Sequence, residues 1–398
     1  MSLEPSQRVQ AVGPSGIRRF FEIAEERDDV ISLGVGEPDF STPWAARDAA
    51  IASLERGKTS YTANRGMREL RQAISGYVDE RFGLEYDGDD EILVTAGASE
   101  AVDLAFRAFV DPGDIVAIAQ PSYISYEPGV IFAGGEVCSV PTREADDFRL
   151  TVDALEAAGA ADADLLVLCY PNNPTGAVMS KADLEPIAAF VREHDLSVLS
   201  DEIYAELTYG NETDRPDHGG SAIHTSIATL PGMRERTIVF NGFSKAHAMT
   251  GLRLGYALGP SDAIAAMNRI HQYGMLSAPT TAQYAALEAL ESCANDVADM
   301  VAQYDRRRRF VLSRFREIGM PCFEAAGAFY VFPKVPDSWD GTANEFAEGL
   351  LHEEGVAVVP GDVFGSGGEG HLRVSYATGI EDLREALARI ERFVTDHA

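Results

Sequence analysis

Lysine is scarce in this chain of 398 residues, which holds only Lys58, Lys181, Lys245 and Lys334. Arginine supplies nearly all the other positive charge, and acidic residues exceed basic ones so far that the formal net charge at pH 7 is −30. Nucleic acids and anionic membranes both require basic patches on a protein, so we expect neither as a partner. The acidic runs are short and spread along the chain, which indicates a heavily hydrated surface. Together with the shortage of lysine, this surface predicts a halophilic origin.

The sequence also lacks long apolar segments. No run approaches the roughly 18 residues that a membrane span needs, and the first twenty residues contain no apolar core of a secretory signal. The four cysteines, Cys138, Cys169, Cys293 and Cys322, show neither CxxC nor Cys/His metal-ligand spacing. We therefore expect a globular cytoplasmic protein with reduced cysteines and without a metal site.

Short apolar runs alternate with helical patterns along most of the chain, from EILVTAG through DIVAIAQP, DLLVLCYP and LSVLSDE to TIVFNGF. This alternation is typical of an α/β fold with a mostly parallel sheet and helices on both faces. From Thr281 onward, a long helical pattern leads to short strand-like runs, which indicates a smaller α+β domain. We predict an N-terminal arm that forms part of the small domain (1–43), a large domain (44–282) and the remainder of the small domain (283–398).

One lysine stands in a distinctive setting, the run TIVFNGFSKAHAMTGLRLGY. A predicted strand ends in a turn of small residues, Ser244 and Lys245 follow, and a second strand-like run from Leu252 to Leu258 brings Arg253 back past the same place. An amine attacks a carbonyl only when its lone pair is free, so a reactive lysine needs a lowered pKa. Because lysine is so rare here, we interpret Lys245 as a Schiff-base lysine and Arg253 as a phosphate ligand, rather than as surface residues of a loop.

Small and polar residues follow three further predicted strands, at the edge where ligands bind in open α/β sheets. The turn at residues 97–99 begins a helix whose free N–H groups can hold a phosphate, although many α/β turns look alike. In PNNPTG, two prolines fix the loop that carries Asn173, for which a plain turn is the alternative. Asp201, with Tyr204 after it, is either an N-cap of a following helix or the partner of a protonated ring nitrogen.

Taken in order, these residues resemble the cofactor site of the class I/II, fold-type I aminotransferases, which use pyridoxal 5′-phosphate. The resemblance runs from SLGVGEPDF to LRVSYAT and is nearest to the branch of aspartate, alanine and aromatic aminotransferases. It implies transfer of an amino group from an L-amino acid to a 2-oxo acid such as 2-oxoglutarate. It also implies that the following residues bind the cofactor: Gly97, Ala98, Ser99, Tyr123, Asn173, Asp201, Tyr204, Ser244, Lys245 and Arg253.

The resemblance implies a role for each residue around the cofactor ring. Lys245 forms the Schiff base with the cofactor and then moves the α proton of the substrate. Asp201 keeps the pyridine nitrogen protonated, so that the ring accepts electrons. Asn173 and Tyr204 donate hydrogen bonds to the ring oxygen, and Tyr123 stacks on the ring face.

The phosphate contacts implied by the resemblance come from Arg253, Ser244 and the turn at residues 97–99. Related enzymes often have a serine three residues before the lysine, where this chain has Gly242. Tyr61, in SYTANRG, matches a tyrosine that reaches the phosphate of the partner subunit. The resemblance therefore implies a homodimer with shared active sites.

Substrate binding is implied for Arg373, which matches an arginine that pairs with the α-carboxylate, assisted by Asn173 and the Gly36 backbone. A guanidinium suits a planar carboxylate, and the apolar alternation around Arg373 argues against the alternative of a surface arginine. The side chain of the donor stays open between aspartate, alanine and aromatic amino acids. In one branch of the family, the partner subunit's segment equivalent to HQYGMLSAPTTAQY supplies an arginine for the second carboxylate of aspartate. Here His271 is the one possible cation of that segment, and Tyr273 stands at the aligned position.

Three other functions remain to be weighed. A pyridoxal phosphate-dependent β-lyase or decarboxylase can use the same cofactor residues, and a lyase releases ammonia and pyruvate without a 2-oxo acid. A non-catalytic regulator with this fold carries an added DNA-binding domain, which we do not expect in so acidic a chain. A nicotinamide site around Gly34 and Gly36 fails because the third glycine and the strand–helix context are missing.

Overall fold

The apolar runs of the sequence form strands in a computed structural model of the chain, which describes residues 3–14, 16, 29–210 and 224–397. Seven of the strands form one sheet in the order β2-β8-β7-β6-β5-β3-β4, in which β8 is antiparallel to both neighbours and the other neighbouring pairs are parallel. In chain order the strands are β1 (Ile31–Ser32), β2 (Ile92–Thr95), β3 (Ile115–Gln120), β4 (Glu136–Pro141), β5 (Leu165–Cys169), β6 (Ser197–Asp201), β7 (Thr237–Gly242), β8 (Gly255–Leu258), β9 (Tyr330–Val331), β10 (Val356–Ala357), β11 (Val359–Pro360) and β12 (Leu372–Ser375).

Helices cover both faces of this sheet. In chain order the described helices are α1 (Gln7–Gln10), α2 (Trp44–Glu55), α3 (Arg68–Phe82), α4 (Ala98–Phe109), α5 (Tyr126–Ala133), α6 (Val152–Ala158), α7 (Lys181–Glu193), α8 (Ser261–Gly274), α9 (Thr280–Ser292), α10 (Ala294–Ile318), α11 (Ala343–Glu354) and α12 (Ile380–Asp396). In β5, Leu165 and Val167 belong to the core under α4, α5 and α8, whereas Leu166 and Leu168 belong to the core under α6 and α7. Successive strand residues point to opposite faces, so a continuous apolar run serves both cores. The predicted α/β class with a mostly parallel sheet is confirmed.

The C-terminal part of the chain has a core of its own, in which α10, α11 and α12 pack with a three-stranded antiparallel sheet, β11-β12-β9. Strand β1, from near the start of the chain, pairs with β10 in parallel. The division into residues 1–43, 44–282 and 283–398 stays a proposal, and residues 17–28 of the arm lie outside the described residues. Helix α9 runs across residue 282, so a division that keeps this helix whole would fall at one of its ends.

Two expectations about the chain as a whole can be compared with the structure. Among the described helices, none is both long and apolar enough to cross a membrane. All four cysteines are free thiols; Cys169 and Cys293 are buried, and Cys138 and Cys322 are partly exposed.

The segment after Lys245 differs from the prediction. Strand β8 begins at Gly255, residues 250–252 form a 3-10 turn, and Arg253 has a φ of +55°. The expectation that Arg253 lies on a strand is therefore wrong. The register explains why the arginine still reaches the same edge of the sheet, because Thr95 at the end of β2 and Gly242 at the end of β7 both pair with Gly255.

Candidate active site

A cavity of about 620 Å³ opens at the carboxyl edge of the seven-stranded sheet. Two of the predicted site residues are not part of its lining: Gly97 is buried next to Arg253, and Tyr61 is 79% exposed on the surface. The structure brings the other predicted residues together there, namely Gly36, Ala98, Ser99, Tyr123, Asn173, Asp201, Tyr204, Ser244, Lys245, Arg253 and Arg373.

Lys245 lies just after the end of β7, and its ammonium Nζ donates a hydrogen bond of 2.7 Å to the carbonyl oxygen of Gly36. Burial lowers the pKa of Lys245 to about 8, and the positive charge of Arg373 acts in the same direction, while Glu37 opposes it. A lysine with this pKa carries a free lone pair far more often at neutral pH than an exposed lysine does. The amine is therefore suited to attack a carbonyl and to take up a proton.

Asp201 ends β6 and is 6% exposed. Its Oδ2 accepts a hydrogen bond of 2.6 Å from the Tyr126 hydroxyl, and its Oδ1 accepts one of 3.2 Å from the Ile203 N–H. Burial raises the pKa of Asp201, whereas these two hydrogen bonds favour the carboxylate and oppose the increase. No helix follows Asp201 within residues 202–210, so the alternative of an N-cap is wrong. Tyr126 was missed in the sequence, although it lies only three residues beyond Tyr123.

Two tyrosines meet beside Lys245. The hydroxyls of Tyr204 and Tyr330 are 3.0 Å apart, and one donates a hydrogen bond to the other. Burial raises the pKa of both phenols, so both keep their protons. Tyr330 also packs against the Arg373 guanidinium, 4.7 Å from the ring centroid. A Cβ atom at position 36 would collide with the Tyr330 hydroxyl. Glycine at Gly36 is therefore what allows this tyrosine to reach the cavity, and Tyr330 is a second residue that sequence analysis missed.

Arg373, on β12, lines the cavity although it is only 4% exposed. Its Nη1 donates to Asn173 Oδ1 at 2.9 Å and its Nη2 donates to the Gly34 carbonyl at 2.5 Å. The Nε–H is buried and has no hydrogen-bond partner among the described residues. A buried guanidinium with an unused N–H loses solvation without compensation, so its setting favours an anionic ligand.

The turn at residues 97–99 packs tightly against Arg253. Gly97 has a φ of +85°, and a Cβ atom there would lie 2.6 Å from Arg253 Nη2. The first N–H groups of α4, which begins at Ala98, have no partner within the helix and are available for an anion. A Cβ at Gly242 would lie 2.8 Å from the Cα of Gly255. The close approach of β7 and β8 thus excludes the serine that related enzymes often carry at position 242.

His271 is the possible cation that the sequence offered for a second substrate carboxylate. It is fully buried inside its own subunit, and its Nδ1 lies 2.7 Å from Glu100 Oε1. Tyr273, at the aligned position, is 87% exposed. His271 is therefore committed to an internal carboxylate, and the structure does not support its reading a second substrate carboxylate.

The lining has an order that suits one kind of ligand. A buried carboxylate, Asp201, and a phenol, Tyr204, lie near the amine of Lys245, while Arg253 and the helix N-terminus at Ala98 supply groups for an anion. A glycine is required at Gly97 to leave room for that arginine. This set fits an aromatic ring that carries a basic nitrogen, a hydroxyl, an aldehyde and a phosphate.

Comparisons with known proteins agree with this chemistry. The model of the family "Aminotransferase class I and II" matches residues 28–390. An aspartate aminotransferase of Pyrococcus abyssi is 44% identical over 98% of both chains, and the aromatic-amino-acid aminotransferase 2 of Thermococcus litoralis is 41% identical over 98% of both chains. The crystal structure of an aromatic aminotransferase from Pyrococcus horikoshii is 44% identical, with a TM-score of 0.88 over 95% of this chain and 99% of that one.

Proposed function

Since this chain belongs to the class I and II aminotransferase family and is a pyridoxal phosphate-dependent transaminase, we propose that the cavity around Lys245 is its active site. The observation that carries the proposal is the buried Lys245 with its lowered pKa, placed between the carboxylate of Asp201 and the guanidinium of Arg373. The roles below are proposed for this chain's own residues.

The phosphate would be held by Arg253, by the Ser244 hydroxyl and by the N–H groups of the turn at residues 97–99. Asp201 would hold the proton on the ring nitrogen, and the Tyr126 hydrogen bond opposes the increase in pKa that burial gives this carboxyl group. The Tyr204 hydroxyl and the Asn173 amide would donate hydrogen bonds to the ring oxygen. Tyr123 provides an aromatic face at the side of the cavity.

Bound pyridoxal phosphate supplies an aldehyde that accepts the amino group and a ring that withdraws electrons from the substrate α carbon. Lys245 Nζ is the group that would take up the proton from that carbon and hold it for its return. The lowered pKa of Lys245 favours this role, because an efficient general base has a pKa near the operating pH. The Gly36 carbonyl, 2.7 Å from Nζ, orients the amine.

Arg373 binds the α-carboxylate of the amino acid and of the 2-oxo acid. Its Nη1 is already fixed by Asn173 and its Nη2 by Gly34, so the guanidinium is oriented before a substrate arrives. Binding the carboxylate at one fixed place presents the Cα–H bond to Lys245 in the same way for each donor.

Aromatic amino acids are the donors that we propose as preferred, with alanine and aspartate kept as alternatives. The cations among the described lining residues are Lys245, Arg253 and Arg373, each of which already has a role. Apolar and aromatic side chains, including Val35, which is 42% exposed, and Tyr330, line the cavity together with the polar side chains of Glu37 and Thr250. A panel of amino donors with 2-oxoglutarate in high salt tests this preference, and faster turnover of aspartate than of phenylalanine would contradict it.

Two measurements test the active site and the reaction. Borohydride reduction of the yellow holoenzyme, followed by peptide mapping, should place the cofactor on Lys245; labelling of Lys58, Lys181 or Lys334 would contradict the assignment. Product analysis then separates transamination from β-elimination, because a β-lyase releases ammonia and pyruvate when no 2-oxo acid is present.

A homodimer with shared sites is the proposed assembly. Tyr61 does not line the cavity of its own subunit and is 79% exposed. Large apolar side chains are exposed at Met275 and Leu276, and hydrogen bonds from Asn64 to the Leu276 carbonyl (2.6 Å) and from Thr280 to the Ser60 carbonyl (2.8 Å) hold this segment beside Tyr61. Such a joint apolar surface supports contact with a second copy.

The proposed setting of the enzyme is the cytoplasm of a salt-accumulating organism. Its four free cysteines are compatible with a reducing compartment, where disulfides are rare. The net charge of −30 supports adaptation to concentrated salt, which screens repulsion between surface carboxylates. Fractionation of the source cells tests the compartment, and the salt dependence argued below tests the adaptation.

A further inference from the structure

We propose that the pair formed by the buried His271 and the partly buried Glu100 positions the phosphate-binding turn at residues 97–99, so that both residues set the affinity for the phosphate without touching it. This inference rests on the proposed active site. Neither residue lines the cavity, yet Glu100 is the next residue after Ser99. The two side chains connect helix α8 to the first turn of α4.

Glu100 supports the turn through its backbone. Gly97, the residue before α4, has no side chain to cap the helix, and the Glu100 Oε2 accepts a hydrogen bond of 2.5 Å from the N–H of Ala96. The other side-chain hydrogen bond to the turn, among the described residues, comes from the Thr95 hydroxyl, which donates to the Gly97 carbonyl at 2.9 Å. A carboxylate that reaches back in this way fixes the chain as it enters the helix, and here that chain is the proposed phosphate cradle.

His271 fixes the orientation of Glu100. A carboxylate can only accept, so His271 Nδ1 donates its proton to Glu100 Oε1, at 2.7 Å. The imidazole is fully buried in the last turn of α8, and its Nε2 has no partner in the described part of the chain. Glu100 is thus the polar contact that explains a histidine at this buried position. Without it, the carboxylate could swing away from Ala96, and the turn would lose one of its two side-chain supports.

The geometry of the turn leaves little tolerance for such movement. Gly97 already lies close to the Arg253 guanidinium, and a Cβ atom at Gly255 would collide with the backbone nitrogen of Ala98. A shift of the turn by a few tenths of an ångström would change the direction of the N–H groups relative to Arg253. Because a hydrogen bond weakens with misalignment, the effect should be confined to the phosphate end of the ligand.

The test compares apoenzyme binding of pyridoxal phosphate, of pyridoxal and of inorganic phosphate as a competitor. Glu100→Ala and His271→Leu should each weaken the binding of pyridoxal phosphate and of inorganic phosphate about tenfold or more. The affinity for pyridoxal should change less than about twofold. His271→Asn, whose amide can donate from nearly the same place as Nδ1, should retain most of the phosphate affinity. Glu100→Gln should do the same, because its oxygen can accept from the Ala96 N–H while its NH2 group donates to Nδ1 of the other His271 tautomer. The double variant Glu100→Ala/His271→Leu should bind phosphate no more weakly than the more impaired of the two single variants, because both residues act through one contact.

A matched control is Glu345→Ala, which removes a comparable reach-back contact, from Glu345 to the N–H of Thr342 at 2.8 Å, far from the cavity on α11. This variant should lower the melting temperature without changing the affinity for pyridoxal phosphate, pyridoxal or inorganic phosphate. Three results would overturn the proposal. The first is an equal loss of affinity for pyridoxal and for pyridoxal phosphate, and the second is an unchanged phosphate affinity in His271→Leu. The third is the same phosphate affinity in His271→Leu and His271→Asn. Failure of the unaltered apoenzyme to bind pyridoxal phosphate would instead reject the active site itself.

Discussion

The hydroxyl of Tyr126 donates a hydrogen bond of 2.6 Å to Asp201 Oδ2, between the first turn of α5 and the end of β6. The two residues are 75 positions apart, and both are buried. A buried carboxylate tends to become protonated, and a hydrogen bond to its charged form counters that tendency. The bond therefore favours the carboxylate form of Asp201, which is the form that can pair with a protonated ring nitrogen.

Replacement of Tyr126 by phenylalanine should weaken catalysis more than stability. Without the hydroxyl the pKa of Asp201 rises further, so the carboxylate is lost at a higher pH on acidification. We expect the acid limb of the kcat/KM profile to move to higher pH and the value at neutral pH to fall about tenfold, as for a hydrogen bond to a charged group. Tyr209→Phe is the control, because Tyr209 donates one buried hydrogen bond of 2.6 Å to the Ala328 carbonyl outside the cavity. An unchanged pH profile in Tyr126→Phe would contradict the role.

Much of this site could be predicted from the sequence, because the strand-end residues carry local signals. Small residues at 97–99 predict the start of α4, and the apolar run before Asp201 predicts a buried strand; the structure has both. Contacts between distant segments carry no such signal. The pairing of Tyr126 with Asp201 is of this kind, and so is that of His271 with Glu100, 171 positions away.

The conformation of Arg253 shows a second limit. The run from Leu252 to Leu258 has an alternation that favours a strand. Propensity alone gives no reason for that strand to begin only at Gly255. Direct packing of Gly255 against the backbone of residues 97–98 decides where the strand begins. Tertiary contact thus overrides the local pattern.

The pH dependence of cofactor loading should report the lowered pKa of Lys245. Its amine is neutral above a pH of about 8 rather than above 10.5. The rate at which apoenzyme forms its covalent link with pyridoxal phosphate should therefore rise with pH and level off above about 8. An Nα-acetyl-lysine amide, which keeps a free side-chain amine, is the control in the same buffers. Its rate of Schiff-base formation should continue to rise toward pH 10.5. An inflection of the enzyme near 10 would show that burial does not activate this lysine.

Replacement of Arg373 should affect every amino acid donor alike. Arg373→Lys keeps the charge but loses the guanidinium fork, so kcat/KM for each donor should fall about tenfold to a hundredfold, through a higher KM and a lower kcat. Amines without a carboxylate should be indifferent to the change. Arg307→Lys is the matched control, because Arg307 forms a two-bond fork with Asp39 at 2.8 and 2.9 Å outside the cavity. Unaltered donor kinetics in Arg373→Lys would show that another group binds the carboxylate.

Salt should stabilise and activate the enzyme together. With 63 acidic and 33 basic residues, the surface repels itself in dilute buffer. The screening length falls from about 10 Å at 0.1 M to about 3 Å at 1 M salt, so potassium chloride should relieve this repulsion. Melting temperature and activity are measured across the salt series, with sucrose at equal osmolality as the uncharged control. Full stability at low ionic strength would count against a halophilic origin.

Subunit mixing should reveal whether Tyr61 serves the partner's active site. If it does, Tyr61→Ala and Lys245→Ala place their defects in different sites of a mixed dimer. One site then receives both altered residues, and the other receives both intact ones. Co-refolding of the two weak or inactive homodimers in equal amounts should therefore restore about a quarter of the normal activity, since half of the dimers are mixed and each has one intact site.

The control for this experiment is the pair Asp201→Asn and Lys245→Ala. Both residues line the same subunit's cavity, so every site in their mixture keeps one defect and no activity should reappear. Exchange of subunits is verified independently by mass, with one variant carrying an isotope label. If the Tyr61 mixture with verified exchange behaves like this control, Tyr61 acts in its own subunit. If activity returns in the Tyr61 mixture but not in the control mixture, Tyr61 must act in the active site of the partner subunit. A site formed by one chain alone would keep the defect of that chain.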